Sequence, residues 1–267
     1  MTIGQNDPLS PSPRVKNEKS SRDEIMEKLE DFKLGMQNAI PICLGYIAVS
    51  FAFGIQASEA GLTTLQAVIM SLTNVTSAGQ FSSLALITAQ ASFAEMALLQ
   101  LIINLRYMLM STALTQKLKS DVPTIHRMGI AYGVTDEIFG VSILKGGELR
   151  PAFSYGLIFL SVFGWVLGTF LGAVAGQIMP GRIISALGMA IYGMFLAIII
   201  PEAKAKRSVM IVVISAMLLS SIFTYAPVLS SISSGFRIII VTVVIATLAA
   251  IIAPVKDSDK EEVEADA

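Results

Sequence analysis

Polar side chains interrupt an otherwise apolar stretch between residues 71 and 106, and they are the first candidates for chemistry. Asn74, Ser77, Gly79 and Gln80 lie close together there. Polar groups at membrane depth are costly, so they usually face a cavity, a partner or a substrate. A helix that begins at such a place presents free N–H groups and a positive dipole end, both of which attract anions. We therefore predict that these four residues bind a substrate.

The same residues also have a purely structural interpretation. Ser77 and Gln80 fit the S-x-x-Q pattern, in which two side chains satisfy the free backbone N–H groups at a helix start. Under that interpretation the pair caps a short helix over residues 81–89. The two interpretations are compatible, because both place a helix start inside the apolar stretch.

Charged residues in apolar surroundings form a second group of candidates. Asn104 precedes Arg106 by two residues, about 200° around a helix, so their side chains point to nearly opposite faces. We predict that Asn104 contributes to substrate binding and that Arg106 forms a buried ion pair with Asp136 or Glu137. The other acid would stay free to carry a proton or to receive a substrate ammonium group. A structural ion pair that only joins two helices is the alternative.

The composition indicates that lipid surrounds most of the chain. Of its 267 residues, 54% are hydrophobic and 15% are charged, whereas a soluble domain carries about 25% charged residues. A net charge of −1 gives no reason to expect nucleic acid as a partner. One cysteine and one histidine exclude an internal disulfide and a Cys/His zinc site. We expect no cofactor and no enzymatic activity, because no nucleotide-binding loop or nucleophile–base pair is visible.

The chain divides into four parts by composition. We predict a disordered cytoplasmic tail at 1–20 and an amphipathic helix on the membrane surface at 21–33, begun by an S-x-x-E capping box at Ser21. An ordinary helical lead-in to the first span, without lipid contact, is the alternative for 21–33. Residues 34–253 form the predicted transmembrane transport domain, and 254–267 form an acidic disordered tail. The predicted fold is all-α: a polytopic integral membrane protein with about seven or eight helical segments, one or more of them broken.

Apolar runs define the segments of the transmembrane domain. They cover residues 34–58, 61–90, 93–115, 128–144, 151–179, 181–200, 209–225 and 236–253. Polar residues should break the second run into two short helices, and the fourth run is short and carries both acids in its middle. The fifth run has a glycine at every fourth position, which allows close helix packing. We favour packing within the chain over a subunit interface or a sliding face for Gly164, Gly168, Gly172 and Gly176.

Basic loops predict the orientation of the chain in the cytoplasmic membrane. The N-terminal segment and the loops at 117–127, 145–150 and 203–207 are all basic. Simple alternation of eight spans cannot place all of them on one side. All of these loops can lie on one side if the run at 61–90 or the run at 128–144 is broken, or enters and leaves the membrane on the same side. We predict that both termini are cytoplasmic.

Three short motifs in order resemble the AzlC family of branched-chain amino-acid export proteins. They are S-A-G-Q-F from Ser77, N-L-R-Y from Asn104 and T-D-E-I-F from Thr135, and the resemblance extends over about residues 34–250. It implies export of branched-chain amino acids, and in some members methionine. It also implies a small AzlD-like membrane subunit as a frequent partner.

The resemblance carries five candidate residues onto matching family positions: Gln80, Asn104, Arg106, Asp136 and Glu137. The chain departs from the family pattern at the residue after Arg106, which is Tyr107 instead of the common His. It also departs in the order of the small residues before Gln80. A proton-transfer role for that family His therefore does not carry over to this chain.

Together these observations predict a secondary transporter that exports an amino acid across the cytoplasmic membrane, driven most simply by a proton gradient. A zwitterion needs three receivers. The helix start near residues 77–81 would take the carboxylate, Asp136 or Glu137 the ammonium, and Leu, Ile and Met side chains the apolar group. The alternatives are an exporter or channel for another small solute, and a non-transporting membrane subunit that docks a partner.

Overall fold

The computed structural model describes residues 13–180, 196, 199–201, 203–226 and 232–252. Three predicted parts lie wholly or mostly outside the described residues: residues 1–12 of the predicted N-terminal tail, most of the run at 181–200, and the acidic tail at 254–267. Within the described ranges the regular elements are helices, which confirms the predicted all-α class. In chain order they are α1 (Pro13–Glu59), α2 (Thr64–Thr73), α3 (Ser77–Thr88), α4 (Phe93–Lys117), α5 (Thr124–Tyr132), α6 (Asp136–Leu144), α7 (Pro151–Ile178), α8 (Arg207–Tyr225) and α9 (Ser234–Ile252).

The described helices fall into a long and a short class. Five helices in the described part of the chain are long and apolar enough to cross a membrane, namely α1, α4, α7, α8 and α9. The other four have 9 to 12 residues each, too few for the roughly 20 residues that a single helical span requires. They follow each other in pairs, so each pair forms one broken element. The predicted polytopic architecture with broken segments is confirmed.

α1 is one helix of 47 residues that continues through the predicted boundaries of the surface helix. The S-x-x-E pattern at Ser21 lies inside this helix and does not begin it, which corrects the predicted helix start. Residues 13–20, predicted as part of the tail, are helical. The physical reason is the local sequence: residues 14–34 contain neither glycine nor proline, and Pro13 suits the first position of a helix.

α1 and α7 are parallel and pack backbone against backbone. A Cβ atom built on Gly164 would lie 2.7 Å from Cys43 O, and one on Gly172 would clash with Phe51 O. The contacts advance in the same direction along both helices, which shows that they are parallel. The glycine face predicted for packing within the chain is confirmed in that role. We call the end of the bundle where α7 begins the near end, and the end where α7 finishes the far end.

α4 runs in the opposite direction and carries the C-terminal helices at its start. Its last residue, Lys117, accepts a backbone hydrogen bond from Leu149 N (2.9 Å), just before α7 begins at the near end. Its first turn therefore lies at the far end. There the buried Glu95 accepts a hydrogen bond from Phe236 N (3.0 Å), which attaches the start of α9 to α4. α8 packs against α9.

α2 and α3 form a hairpin that enters and leaves the bundle at the far end. Thr64, the first residue of α2, is hydrogen-bonded to α7 close to that helix's last residue (2.9 Å). α3 then runs antiparallel to α4, because Thr76 contacts Asn104 (2.9 Å) while the later Ser83 contacts the earlier Gln100 (2.5 Å). The prediction of two short helices in this run is confirmed.

α5 and α6 form the corresponding hairpin at the near end. Near the start of α5, His126 Nδ1 lies 2.9 Å from the Tyr155 hydroxyl in the first turns of α7. Near the end of α6, the Lys117 ammonium at the end of α4 contacts the Ile143 carbonyl. The acids predicted in the middle of one short segment instead stand at the start of its second helix. The chain breaks just before Thr135, the N-cap of α6.

The two halves of this arrangement repeat the same order in opposite orientation. α1 is followed by a hairpin from the far end, and α4 is followed by a hairpin from the near end. In each hairpin a Val-Thr pair precedes the second helix, with Thr76 before α3 and Thr135 before α6 as N-caps. The hairpins meet where the Tyr132 hydroxyl donates to the Leu72 carbonyl. Inverted repeats with broken helices are typical of secondary transporters.

Candidate functional site

A cavity of about 380 Å³ lies where the breaks of the two hairpins approach α1, α4 and α7. Its polar lining consists of Ser77, Tyr107, Thr135, Asp136 and Glu137. Its remaining lining is apolar or aromatic and consists of Pro41, Ile42, Gly45, Tyr46, Val49, Val75 and Trp165. An apolar cavity with a few convergent polar groups is the usual form of a small-molecule site.

Both hairpins turn the start of their second helix toward this cavity. Thr76 caps α3 by accepting from Gly79 N (3.4 Å), and Thr135 caps α6 by accepting from Ile138 N (3.3 Å). The residue after Thr76, Ser77, lines the cavity. The first N–H groups of a helix have no partner within it. α3 therefore brings free N–H groups and a positive dipole end to the cavity wall, and no acid stands in its first turn.

The ion pair predicted for Arg106 is present, and its partner is Asp136. Arg106 Nη1 lies 2.7 Å from Asp136 Oδ2. The guanidinium also stands 4.9 Å from the ring centre of Tyr107 and donates to its hydroxyl (3.2 Å). The side chains of the pair are 43% and 45% exposed. The prediction that the pair is buried is therefore wrong for this chain by itself. The pair stands at the cavity rim between α4 and α6, and both Asp136 and Tyr107 line the cavity.

Glu137 is not the free acid that the sequence suggested. The Tyr46 hydroxyl lies 2.6 Å from Glu137 Oε2 and 2.6 Å from Thr135 Oγ1. A tyrosine hydroxyl has one proton to donate, so one consistent arrangement is donation from Thr135 to Tyr46 and from Tyr46 to Glu137. Tyr46 is buried and packs edge-on against Trp165, with ring centres 5.2 Å apart. The carboxylate of Glu137 is exposed to the cavity beside this chain of hydroxyls.

Gln80 is fully buried behind the cavity wall and does not cap α3. Its Oε1 accepts from Trp165 Nε1 (2.8 Å), and its Nε2 donates to Ser71 Oγ (2.9 Å). Ser71 in turn is 2.7 Å from Thr169 Oγ1, whose hydroxyl donates to Trp165 O. The structural interpretation of Ser77 and Gln80 as a capping box is wrong, because Thr76 is the cap and the Gln80 side chain is hydrogen-bonded to Trp165 of α7 and Ser71 of α2. Gln80 instead positions Trp165, which lines the cavity.

A ring of amide and hydroxyl groups holds α3 against α4. Asn104 Oδ1 accepts from Thr76 Oγ1 (2.9 Å), and Asn104 Nδ2 donates to Gln100 Oε1 (3.0 Å). Gln100 Nε2 donates to Gly79 O (2.8 Å) and to Ser83 Oγ (2.5 Å). A Cβ atom on Gly79 would lie 2.5 Å from Gln100 Oε1 and 2.9 Å from Thr76 Cγ2, so a larger residue there would displace side chains of this ring. Asn104 faces α3 while Arg106 faces α6, as the predicted opposite orientation requires.

The structure therefore divides the eight predicted site residues into three groups. Ser77, Asp136 and Glu137 line the cavity, and Arg106 stands at its rim. The second group does not line the cavity but forms hydrogen bonds that support its walls: Gly79, Gln80 and Asn104. Asn74 is the C-cap of α2 and is not part of the lining.

Nine of the twelve residues that line the cavity were not among the predicted site residues. They include Gly45, Tyr46, Thr135 and Trp165. Trp165 is the single tryptophan of the chain, and Thr135 begins the T-D-E motif. These two sequence features could have identified Trp165 and Thr135 as candidate site residues. Gly45 and Tyr46 lie in a long apolar span and carried no such feature.

Comparisons with known proteins identify the family. The sequence model described as "AzlC protein" matches residues 41–179. The chain belongs to the AzlC family. The matched range begins at Pro41 and extends to the end of α7, so it contains every residue that lines the cavity, while α8 and α9 follow it. The candidate site thus lies wholly in the part of this AzlC protein that defines the family.

Similar curated proteins are membrane proteins. An "Uncharacterized membrane protein" of Archaeoglobus fulgidus is 33% identical over 184 residues, which cover 68% of this chain and 80% of the relative. "Inner membrane protein YgaZ" of Escherichia coli is 28% identical over 184 residues, which cover 66% of this chain and 75% of the relative. No solved structure matches the chain. Family membership supports a role in membrane transport and leaves the solute open.

Proposed function

We propose that this AzlC protein is a secondary transporter that exports branched-chain amino acids across the cytoplasmic membrane, with methionine as a further candidate substrate. One observation carries the proposal. The cavity joins an uncharged helix start to a pair of acids, with an apolar wall between them. A zwitterion with an aliphatic side chain is complementary to all three features.

The start of α3 is the proposed receiver of the carboxylate. Ser77 contributes a hydroxyl and lies at the first position of the helix. Among the described residues no acceptor is hydrogen-bonded to the N–H groups of Ser77 and Ala78. Free N–H groups and a helix dipole at the same place form a ready site for an anion.

Glu137 is the proposed receiver of the ammonium group. Arg106 balances the charge of Asp136 across 2.7 Å, so the three residues together carry a net charge of −1, located on Glu137. A charge of −1 matches one ammonium group. The same carboxylate can take a proton when the ammonium leaves, and the Tyr46 and Thr135 hydroxyls beside it can pass a proton on. This gives the site a means of coupling export to a proton gradient.

The two hairpins supply the proposed means of alternating access. One enters from the far end and the other from the near end, and both breaks border the same cavity. Movement of one hairpin would open the cavity to one side of the membrane only. The basic loops at 117–127 and 145–150 belong to the near end. We therefore assign the near end, and both termini, to the cytoplasm.

We also propose that a small AzlD-like membrane subunit covers the rim of the cavity. Arg106 lies eleven residues, or about 16 Å, from the end of α4, deep within a membrane span. Its ion pair with Asp136 is nonetheless nearly half exposed. Exposed charge at that depth is costly in lipid, so the exposed rim needs either water or a second protein surface. A subunit that closes the cavity would supply that surface.

Counterflow in proteoliposomes tests the proposed function. The purified protein would be reconstituted alone and with the small subunit. The vesicles would be preloaded with unlabelled leucine, and a radiolabelled amino acid would be added outside. We expect accumulation of leucine, isoleucine and valine, and none of lysine, whose additional cation has no receiver. The proposal is wrong if no aliphatic amino acid accumulates under either condition. Ion conductance without counterflow would instead identify a channel.

A further inference from the structure

The three glycines of α1 occupy different environments. A Cβ atom on Gly35 would lie 2.9 Å from Leu157 N, and one on Gly54 would lie 2.6 Å from Ala173 N, both on the backbone of α7. These two glycines allow the close packing of α1 and α7. A Cβ atom on Gly45 would meet no atom within 4 Å. Packing therefore explains two of the glycines and does not explain the third.

Backbone conformation does not explain Gly45 either. It lies in the interior of α1, and the positive φ angles of described glycines are those of Gly61 and Gly147. Glycine in a helix interior is less favourable than alanine by about 1 kcal/mol. What Gly45 provides is space. It lines the cavity, and the open volume above its Cα is volume that any other residue would occupy.

The neighbours of Gly45 indicate what that space would hold. Ile42 and Val49 on α1 and Val75 at the far-end break give this side of the cavity an apolar lining. The next residue, Tyr46, contacts Glu137 (2.6 Å). The space therefore lies beside the group to which we assign the substrate ammonium, where the side chain of an α-amino acid would begin.

We propose that Gly45 determines which side chains the transporter accepts, by leaving room for a branched or long aliphatic group. This inference rests on the proposed function and adds the residue that sets the size limit. Larger residues at this position fill the subsite in steps. A hydrophobic subsite discriminates by about 10- to 200-fold for one methylene group.

Gly45→Ala and Gly45→Val test the proposal by substrate selectivity. We expect the apparent affinity for leucine, measured by counterflow competition, to fall about tenfold or more relative to that for alanine in Gly45→Val. Gly45→Ala should give a smaller change in the same direction. Neither variant should be less stable than the wild type, because the structure leaves room for the added Cβ and both residues are better helix formers than glycine.

Gly140 offers a matched control. It lies in the interior of α6, a Cβ atom there would also meet nothing within 4 Å, and it does not line the cavity. Gly140→Val should leave the leucine-to-alanine ratio unchanged. An equal change of the ratio in both valine variants would overturn the proposal. So would an equal loss of leucine and alanine transport in Gly45→Val.

Thiol protection separates this inference from the proposed function. In a Cys43→Ala background, the thiol introduced by Gly45→Cys should react with a small methanethiosulfonate reagent, and saturating leucine should slow the reaction more than glycine does. Protection without transport in the wild type would contradict the transport function and retain the subsite. Transport by the wild type, with equal effects of leucine and glycine on labelling, would contradict the subsite alone.

Discussion

The hairpins α2–α3 and α5–α6 share one design and present opposite charge to the cavity. Each has two short helices, a break of three residues and a threonine N-cap on the second helix. Past the cap, α3 continues with Ser77 and α6 continues with Asp136 and Glu137. A helix start is positive by default, so α3 attracts an anion. The acids of α6 reverse the sign and attract a cation.

α4 holds both hairpins, and the comparison explains the N-L-R motif at its centre. Asn104 joins α3 through a neutral hydrogen bond to Thr76 (2.9 Å), and Arg106 joins α6 through an ion pair with Asp136 (2.7 Å). The spacing of two residues turns these side chains to nearly opposite faces of one helix. A single short motif thus fixes the relative position of the two helix starts that face the cavity.

Removing the negative charge of α6 should have the largest effect. Glu137→Gln retains an acceptor for the Tyr46 hydroxyl and leaves the site with no net charge. A hydrogen bond to a charged group contributes about 1.5–3 kcal/mol, so we expect leucine counterflow to fall by about 10- to 100-fold with normal membrane insertion. Glu59→Gln, at the exposed end of α1, is the control. Wild-type counterflow by Glu137→Gln would assign the ammonium to another group.

Disturbing the support behind α3 should destabilise the wall of the cavity. Gln80→Ala removes the acceptor of Trp165 Nε1 and a donor to Ser71, both buried. A buried polar group left without a partner costs about 1–3 kcal/mol. We expect a lower melting temperature in detergent and a weaker apparent affinity for leucine. Gln90→Ala, an exposed glutamine at the end of the same hairpin, should change neither.

Equalising the charge of the two hairpins should impair binding without loss of stability. Ser77→Asp places an acid in the first turn of α3, where acids stabilise helices by about 0.3–1 kcal/mol. The same charge would repel a substrate carboxylate, and we expect about a tenfold weaker apparent affinity for leucine. Ser77→Asn is the neutral control of nearly equal size. Equal affinities in the two variants would show that no anion binds at α3.

The sequence predicted a break in a helix where polar residues interrupt an apolar run. It did not predict hydrogen bonds between residues that are far apart along the chain. The polar residues around Asn74 predicted the break between α2 and α3, and the structure has it. The capping residue was misassigned because Ser77 and Gln80 fit a local pattern. The competing partner of Gln80 is Trp165, 85 residues further on, and no local pattern reports such a contact.

The near-end break shows the same limit in another form. The run 128–144 is apolar up to its acids, apart from small residues such as Gly133, so the acids were placed in the middle of a single segment. Thr135 is the residue that defines the break, and its role depends on its side chain turning back to Ile138 N. Tyr46, which contacts Thr135, resembles any aromatic residue of a membrane span until α6 is packed beside it.

The smallest effect is expected at the ion pair that joins α4 to α6, and its size should depend on what covers it. For a fully buried pair, Arg106→Ala would cost about 3–5 kcal/mol. This pair is 43% and 45% exposed, and exposed pairs contribute about 0.2–1 kcal/mol. We therefore expect Arg106→Ala to lower the stability of the isolated chain only slightly. Adding Asp136→Asn should restore that loss, whereas adding Glu137→Gln should not.

The AzlD-like subunit proposed above would turn the same pair into a buried one. A double-mutant cycle of Arg106→Ala and Asp136→Asn, read by thermal unfolding with and without the small subunit, measures this directly. The coupling energy should be larger in the complex, because the subunit removes water from the rim and an unpaired charge there becomes costly. Equal coupling energies in the two preparations would show that the subunit, if it binds, binds elsewhere.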